Sequence, residues 1–348
     1  MREYLKPMNR KSVIGLAITI AVVAALVGYR HWTSRDQEAS RTELLSLMPA
    51  NGNAAVYVDL SQLRSAPFLA QLLALAPQQT ADSEYAQFIQ TTGFNYERDL
   101  DRIAISIDRE AQTQTVFAIA EGRFDRKKIE GYGARFGGLK TADGKTLYAV
   151  PVGGSARKVY YTFVRDDRIE WANDSSYFFE QPSRGTAAEW RERFTRVAGT
   201  PFFVILRQDA GAAEALAAAP GGLHSPQLAT LISQLQWISI GGKPEGNQLR
   251  VVIDGEAGNE NTVRQLKELL SGLVVIAQMS LNDPKMRKQL DPDLREGYVE
   301  LLNSADIQQF DRGTSKSIRV VFDVTAKLLE GATRNAKGSA PTGNTPSR

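Results

Sequence analysis

The chain has 348 residues, 43% hydrophobic and 23% charged, with a formal charge of +3 and no cysteine. This composition excludes a disordered or collagenous chain and leaves room for two domains, or for one built by duplication. Disulfides, thiolate metal sites and cysteine nucleophiles are excluded outright. The positive excess lies in residues 1–41, where seven cations meet three carboxylates. The remainder carries −1, so nucleic acid is not an expected partner.

Residues 1–11 are polar and basic, and residues 12–29, SVIGLAITIAVVAALVGY, form an uncharged run of 18. That length is close to the minimum for a membrane span and predicts a transmembrane helix with the lipid bilayer as its partner. Arg10 and Lys11 close one end, while Tyr29, Arg30 and Trp32 frame the other. Arg2, Lys6, Arg10, Lys11 and the terminal amine outweigh Arg30, Arg35 and Arg41. The bias predicts a cytoplasmic N-terminus and a soluble region outside the inner membrane. A cleaved signal peptide is the alternative, with small residues at Ala24 and Ala25. Against it, the apolar run continues through Leu26 and Val27 with no polar stretch before a cleavage site.

Residues 30–52 read as a stalk that ends in the turn Met48-Pro-Ala-Asn-Gly52. A first α+β unit is expected over 53–198. It opens with a strand at 54–60, a helix at 68–75 and a second helix at 85–92. Strands at 102–108 and 115–120 follow, and a helix at 125–136 closes the motif. The alternation of Ile103, Ile105 and Ile107 is the period-2 signature of a half-buried strand. An antiparallel set is expected at 146–150, 158–164 and 168–172, with a turn at Asp166 and Asp167. Thr186 and Glu189 read as a capping box for a helix carrying Trp190, Phe194 and Val197.

The same order recurs in a second unit, 199–330. A strand at 201–207, a helix at 225–235, strands at 236–240 and 249–254 and a helix at 259–273 match the first motif in turn. Val263, Leu266, Leu270, Leu273 and Ala277 give the closing helix one apolar stripe. Asp293 reads as the N-cap of a further helix with Leu294, Tyr298, Leu301 and Ala305, followed by a strand at 317–324. Residues 331–348 read as a disordered tail. The predicted fold class is α+β: an N-terminal transmembrane helix, then a duplicated β-α-β-β-α soluble region. Each copy is expected to pack its helices on one face of its own antiparallel sheet.

Chemistry-bearing motifs are sparse. The histidines are His31, beside the apolar run, and His224, in the loop composition Pro-Gly-Gly-Leu-His-Ser-Pro. Asp291, Asp293 and Asp283 resemble an oxygen cluster for a hard cation, but Asp before Pro and Asp at a helix start are ordinary turn and cap usage. Gly131, Gly133 and Gly137 miss the dinucleotide spacing and follow a helical segment where a strand is required. Asn173-Asp-Ser175 is a glycosylation sequon by pattern and reads as a turn. The stripe Phe68, Leu69, Leu72, Leu73 and Leu75, like Trp171, Trp190 and Trp237, reads as core. No catalytic, cofactor-binding or metal-binding residue is assigned, and no cofactor is expected.

The stretch Leu47-Met-Pro-Ala-Asn-Gly-Asn-Ala-Ala-Val-Tyr-Val-Asp-Leu60 following one apolar run resembles bacterial single-span, membrane-anchored envelope proteins of the same layout. The resemblance implies an extracytoplasmic envelope domain and carries over no catalytic residues. The expected function is a non-catalytic scaffold or assembly partner for another envelope protein. The alternatives are a binder of lipid or another apolar ligand in a cleft between the two units, and a carboxylate-dependent hydrolase. An enclosed apolar cavity would favour the first alternative and convergent buried carboxylates the second.

Overall fold

The computed structural model describes residues 38–49, 52–66, 68, 83–110, 113–136, 140–142, 145–152, 157–179, 188–208, 226–313 and 315–338. The chain divides into two compact units, Met1–Ser46 and Leu47–Arg348. In the first, the described part is a helix, α1, over residues 38–46, with Arg41 paired to Glu38 one turn away at 2.7 Å.

The second unit opens with β1, Ala54–Asp59, whose Ala55, Tyr57 and Asp59 are buried on one face. Asp59 then caps the short α2, Leu60–Arg64, by accepting the Gln62 N–H. Helices α3, Ser83–Thr92, and α4, Tyr96–Asp99, lead into β2, Leu100–Glu110, and β3, Thr113–Gly122. Helix α5, Arg126–Phe136, is followed by β4, Lys140–Ala142, β5, Lys145–Pro151, β6, Lys158–Arg165, and β7, Arg168–Ala172. Then come α6, Ser176–Phe179, α7, Ala188–Arg196, and β8, Phe202–Arg207. The second copy continues with α8, Pro226–Ser233, β9, Leu235–Glu245, β10, Gln248–Ala257, and α9, Glu260–Asn282. Helices α10, Pro284–Gln289, and α11, Pro292–Asn303, strands β11, Asp306–Asp311, and β12, Lys316–Thr325, and helix α12, Ala326–Gly338, complete it.

Among the described residues the strands form one twelve-stranded sheet, in the order β11-β12-β10-β9-β8-β1-β2-β3-β7-β6-β5-β4. All its described pairings are antiparallel. The β-α-β-β-α order does recur, since β1, β2 and β3 are neighbours and so are β8, β9 and β10. The two copies do not own separate sheets, however. Their first strands pair directly, Val56 opposite Val204 and Tyr57 opposite Phe203, so the expected pair of units is one continuous sheet. Each first strand would otherwise be an open edge with unpaired N–H and C=O groups, and joining them satisfies both.

The helices also lie on both faces, not on one. On the first face, Ile129 of α5 packs on Tyr148, Tyr161 and Phe163 at one wing. At the other wing, Leu228 of α8 and Val263 and Leu266 of α9 pack on Leu235, Ile238, Ala257 and Ile318. The opposite face carries α7, whose Phe194 and Trp190 meet Phe203 and Trp237 at ring separations of 5.7 and 4.9 Å.

The expected transmembrane helix at 12–29 lies outside the described residues. Among the described residues no helix is long and apolar enough to cross a membrane. The fold class is therefore corrected to one antiparallel sheet flanked by helices. Three further expectations change. Asp291, not Asp293, caps α11, because Pro292 takes the first helical position and the Asp291 carboxylate accepts the Asp293 and Leu294 N–H groups. Helix α9 runs to Asn282 instead of 273. The tail expected from 331 onward is helical to Gly338, since Gly331 and Gly297 let α12 and α11 meet backbone to backbone. Within 68–75 only Phe68, which is buried, belongs to the described residues, and Thr186 lies outside them.

Candidate functional site

A groove of about 380 Å³ opens at the first wing between α3, α5 and the β5–β6 hairpin. Gln87 and Phe88 come from α3, Tyr132 and Phe136 from α5, Val150 and Pro151 from β5, with Val152 just beyond it, and Val159 and Tyr161 from β6. Phe136 and Val152 at its rim are each 43% exposed, so the groove is open to solvent. Its walls are held by aromatic packing. Phe88 meets Tyr132 edge-on at 5.1 Å, Tyr132 lies 4.8 Å from Phe136, and Tyr161 stacks on Tyr148 at 5.2 Å.

The Tyr161 hydroxyl donates to the Ile129 carbonyl at 2.7 Å, and burial raises its pKa. It remains a protonated donor that ties β6 to α5. Gly133 makes this approach feasible. A Cβ there would overlap the Tyr161 hydroxyl oxygen and lie 3.0 Å from Tyr148 Cβ. Gly133 thus has a packing reason inside a helix that also holds Gly131, not in a strand-to-helix loop, and Gly137 lies outside the described residues.

The second wing also has a depression, about 520 Å³, between α8 and α9. Most of its lining residues are polar, Gln227, Thr230, Gln234, Gln265 and Glu268, with Leu231 and Leu269. The helices at the two wings thus present different surfaces, Phe88, Tyr132 and Phe136 in one and Gln227, Gln265 and Glu268 in the other.

Two cross-strand rows carry buried charge, apart from other buried carboxylates such as Asp254, which Arg319 of β12 pairs at 2.7 Å. In one copy Asp59, Arg102 and Glu121 lie opposite one another on β1, β2 and β3. Arg102 bridges the two carboxylates at 3.1 Å each, and Arg168 of β7 donates to Glu121 through Nε at 3.0 Å. In the other copy the matching row is Arg207, Trp237 and Glu256 on β8, β9 and β10. There Glu256 takes Arg193 at 2.8 Å and Arg196 at 2.5 Å from α7, and the Arg193 guanidinium sits 3.8 Å over the Trp237 ring. Carboxylates recruited for acid–base work need an environment that opposes ionisation. In these two rows Glu121 and Glu256 face guanidinium groups, which is the arrangement of a structural ion pair, while the buried Glu170 of β7 lies 4.0 Å from the Lys145 ammonium.

The candidates singled out in the sequence do not converge. His224 lies outside the described residues. Asp283 and Asp291 cap α10 and α11, and Arg334 pairs with Asp293 at 2.5 Å. Among the described residues no group of acidic or histidine side chains could hold a metal ion. Asn173 is a strand-end residue whose side chain accepts the Val116 N–H and donates to the Gln114 carbonyl, consistent with a turn role. Trp190 and Trp237 are buried, and Trp171 is half-buried. The expected cleft between the copies is occupied by the β1–β8 seam. One face of that seam carries Val56, Val58, Ile103, Ile105, Ile107, Val204 and Leu206, all half-buried.

No family model matches the chain, and neither does any curated protein. Among solved structures, crystal form I of TP0453 matches at 8% identity and a TM-score of 0.45, covering 84% of this chain and 97% of that one. Crystal form III matches at 9% identity and a TM-score of 0.44, covering 83% and 97%.

Proposed function

We propose that this chain is a non-catalytic interaction protein of the cell envelope, and that its apolar groove receives an apolar segment of a partner protein. The observation that carries the reading is the difference between wings. The depression of the second copy is lined by glutamines, a threonine and a glutamate with two leucines, whereas the groove of the first gathers Phe88, Tyr132, Phe136, Val150, Val152 and Val159 in a solvent-open trough. Exposed aromatic and aliphatic surface costs solubility unless it is covered, and aromatic side chains in a groove are what anchors of a partner pack against. The open rim suits a partner's side chains better than a fully enclosed small molecule. Placement in the envelope is supported by the sequence, because an uncharged run of 18 residues preceded by Lys6, Arg10 and Lys11 has the character of an export signal.

The test is photo-crosslinking in cells from a benzoylphenylalanine at position 136. A discrete protein adduct that disappears in a Val152→Asp background is expected. Adducts to lipid alone, or adducts indifferent to Val152→Asp, would refute it. A second reading, an apolar ligand, is favoured by the half-buried aliphatic strip on the β1–β8 seam. It would show as a lipid co-purifying with the chain and lost on Ile105→Asp.

A further inference from the structure

Helix α9 is a 23-residue helix, whereas its counterpart α5 has 11. Its first half covers the sheet through Val263 and Leu266 and presents Arg264, Gln265, Lys267 and Glu268 to solvent. Further along, the solvent side changes character. Val275, Ile276 and Met279 are 53%, 61% and 70% exposed, and no charge lies between Gly272 and Asn282. Helical spacing puts Glu268, Gly272, Val275 and Met279 on one stripe, so a single face passes from charged to apolar halfway along the helix. The buried side of this second half is satisfied by its own packing on α11 and β11, and Gln278 donates to Asn303 Oδ1 at 3.2 Å. The solvent side is thus an addition to a helix already seated.

Immediately after it comes α10, with Lys285, Arg287 and Lys288 exposed. The nearby carboxylate, Asp283, accepts the Lys285 N–H as the N-cap. We propose that the α9–α10 elbow docks on an anionic lipid surface, with Val275, Ile276 and Met279 entering the headgroup–acyl boundary and the three cations meeting lipid phosphates. Charge complementarity selects this occupant. A second copy joined through the same patch would bring two sets of cations together at the rim. A groove-type partner site would hide more of the three side chains than exposures above one half allow. Apolar side chains beside a cluster of Lys and Arg are the composition of an interfacial anchor. This inference is independent of the groove at the first wing.

The chain has no cysteine, so one introduced thiol takes a label at one place. Full-length Met279→Cys carrying an environment-sensitive fluorophore is mixed with phosphatidylcholine vesicles, with or without phosphatidylglycerol. A local label reads this helix alone, whatever other part of the chain also binds the vesicle. A blue shift with phosphatidylglycerol, and little with phosphatidylcholine alone, is expected. The lipid concentration at half response should rise about fivefold for each of Lys285→Gln, Arg287→Gln and Lys288→Gln, and about 100-fold for the triple variant. The same label at Glu268→Cys should not respond. The proposal is overturned by an equal response at position 268, by a response indifferent to phosphatidylglycerol or to the triple variant, or by no response. A shift that needs no vesicles and grows with protein concentration would instead assign the patch to a second copy. A shift produced by poly-glutamate would assign it to an acidic protein. Either result overturns the lipid reading.

Discussion

Replacing Gly133 by alanine tests how the groove is built, because two effects of opposite sign meet at that residue. In the interior of α5, alanine is favoured over glycine by about 1 kcal/mol of helix propensity. Against this, the new Cβ would overlap the Tyr161 hydroxyl oxygen and stand 3.0 Å from both Tyr161 Cζ and Tyr148 Cβ. Relieving that overlap moves the ring and breaks the hydrogen bond from the hydroxyl to the Ile129 carbonyl. The overlap costs about 1–3 kcal/mol and the bond about 1 kcal/mol, so Gly133→Ala should destabilise the fold by about 2 kcal/mol net. In a Tyr161→Phe background the colliding oxygen and the bond are already gone, and the propensity gain meets only the two 3.0 Å contacts, with the Cζ of the ring and with Tyr148 Cβ. Gly133→Ala should there be close to neutral, a coupling of about 2 kcal/mol in a double-mutant cycle. Urea unfolding of the four proteins, with slopes compared, measures it. If Gly133→Ala costs the same in both backgrounds, the close approach of α5 to β6 does not hold the groove.

Glu121→Leu should cost about 3–5 kcal/mol in thermal or urea unfolding, because Arg168, only 3% exposed in its side chain, is left buried without its main partner. Adding Arg168→Met should recover most of that loss; no recovery would mean that the cost lies elsewhere. Gly297→Ala should destabilise by about 1–3 kcal/mol and open α12 to proteolysis, since a Cβ there would lie 2.6 Å from Leu328 Cα. Arg98 hydrogen-bonds Asp99 and holds its carboxyl at about 2, below the ordinary 3.8. The folded pKa is the lower one, so the stabilisation is present above 3.8 and is lost as pH falls toward 2. Asp99→Asn should flatten the loss of stability in that window and leave its slope above pH 5 unchanged.

Strands were legible where alternation is regular. Ile103, Ile105 and Ile107 lie on one face of β2, and the 146–172 meander appears as β5, β6 and β7. The repeated order was legible for the same reason. The seam was not, because period 2 reports which residues share a face and says nothing about which strand lies alongside. Nothing local pairs Val56 with Val204. The groove was hidden because Phe88, Tyr132, Val150 and Val159 stand on four separate elements, and each in isolation reads as core. The buried rows did leave a trace. Phe117, Ile119 and Glu121 share one parity on β3, so a carboxylate continues a buried face beyond the apolar run. At a strand end such a residue is ordinarily taken for a solvated terminus, and only the arrival of Arg168 from β7 shows otherwise. In α9, the consecutive Val274, Val275 and Ile276 exceeded what one stripe needs, which was the available sign of an exposed apolar face.

The β1–β8 seam makes the two copies comparable position by position, and the comparison separates structure from function. Both copies end their cross-strand row in a buried glutamate held by arginine, although the arginines come from β7 in one and α7 in the other. A feature retained through different partners is one that the sheet itself requires. By contrast, the groove of the first copy is lined mainly by apolar residues and the depression between α8 and α9 mainly by polar ones, and α9 carries three exposed apolar residues in its second half. These differences sit on solvent-facing atoms, so they contribute little to folding. Substitutions should therefore fall into two classes. Glu256→Gln should lower stability by weakening its pairing with Arg193 and Arg196, and should change binding only as far as the fold is lost. Val152→Asp, at a 43% exposed rim position, should leave the unfolding midpoint nearly unchanged and abolish the crosslinked adduct. Parallel unfolding curves and crosslinking yields on both variants decide it. A Val152→Asp protein that unfolds as readily as Glu256→Gln would place the groove wall in the core and remove the basis for reading it as a binding site.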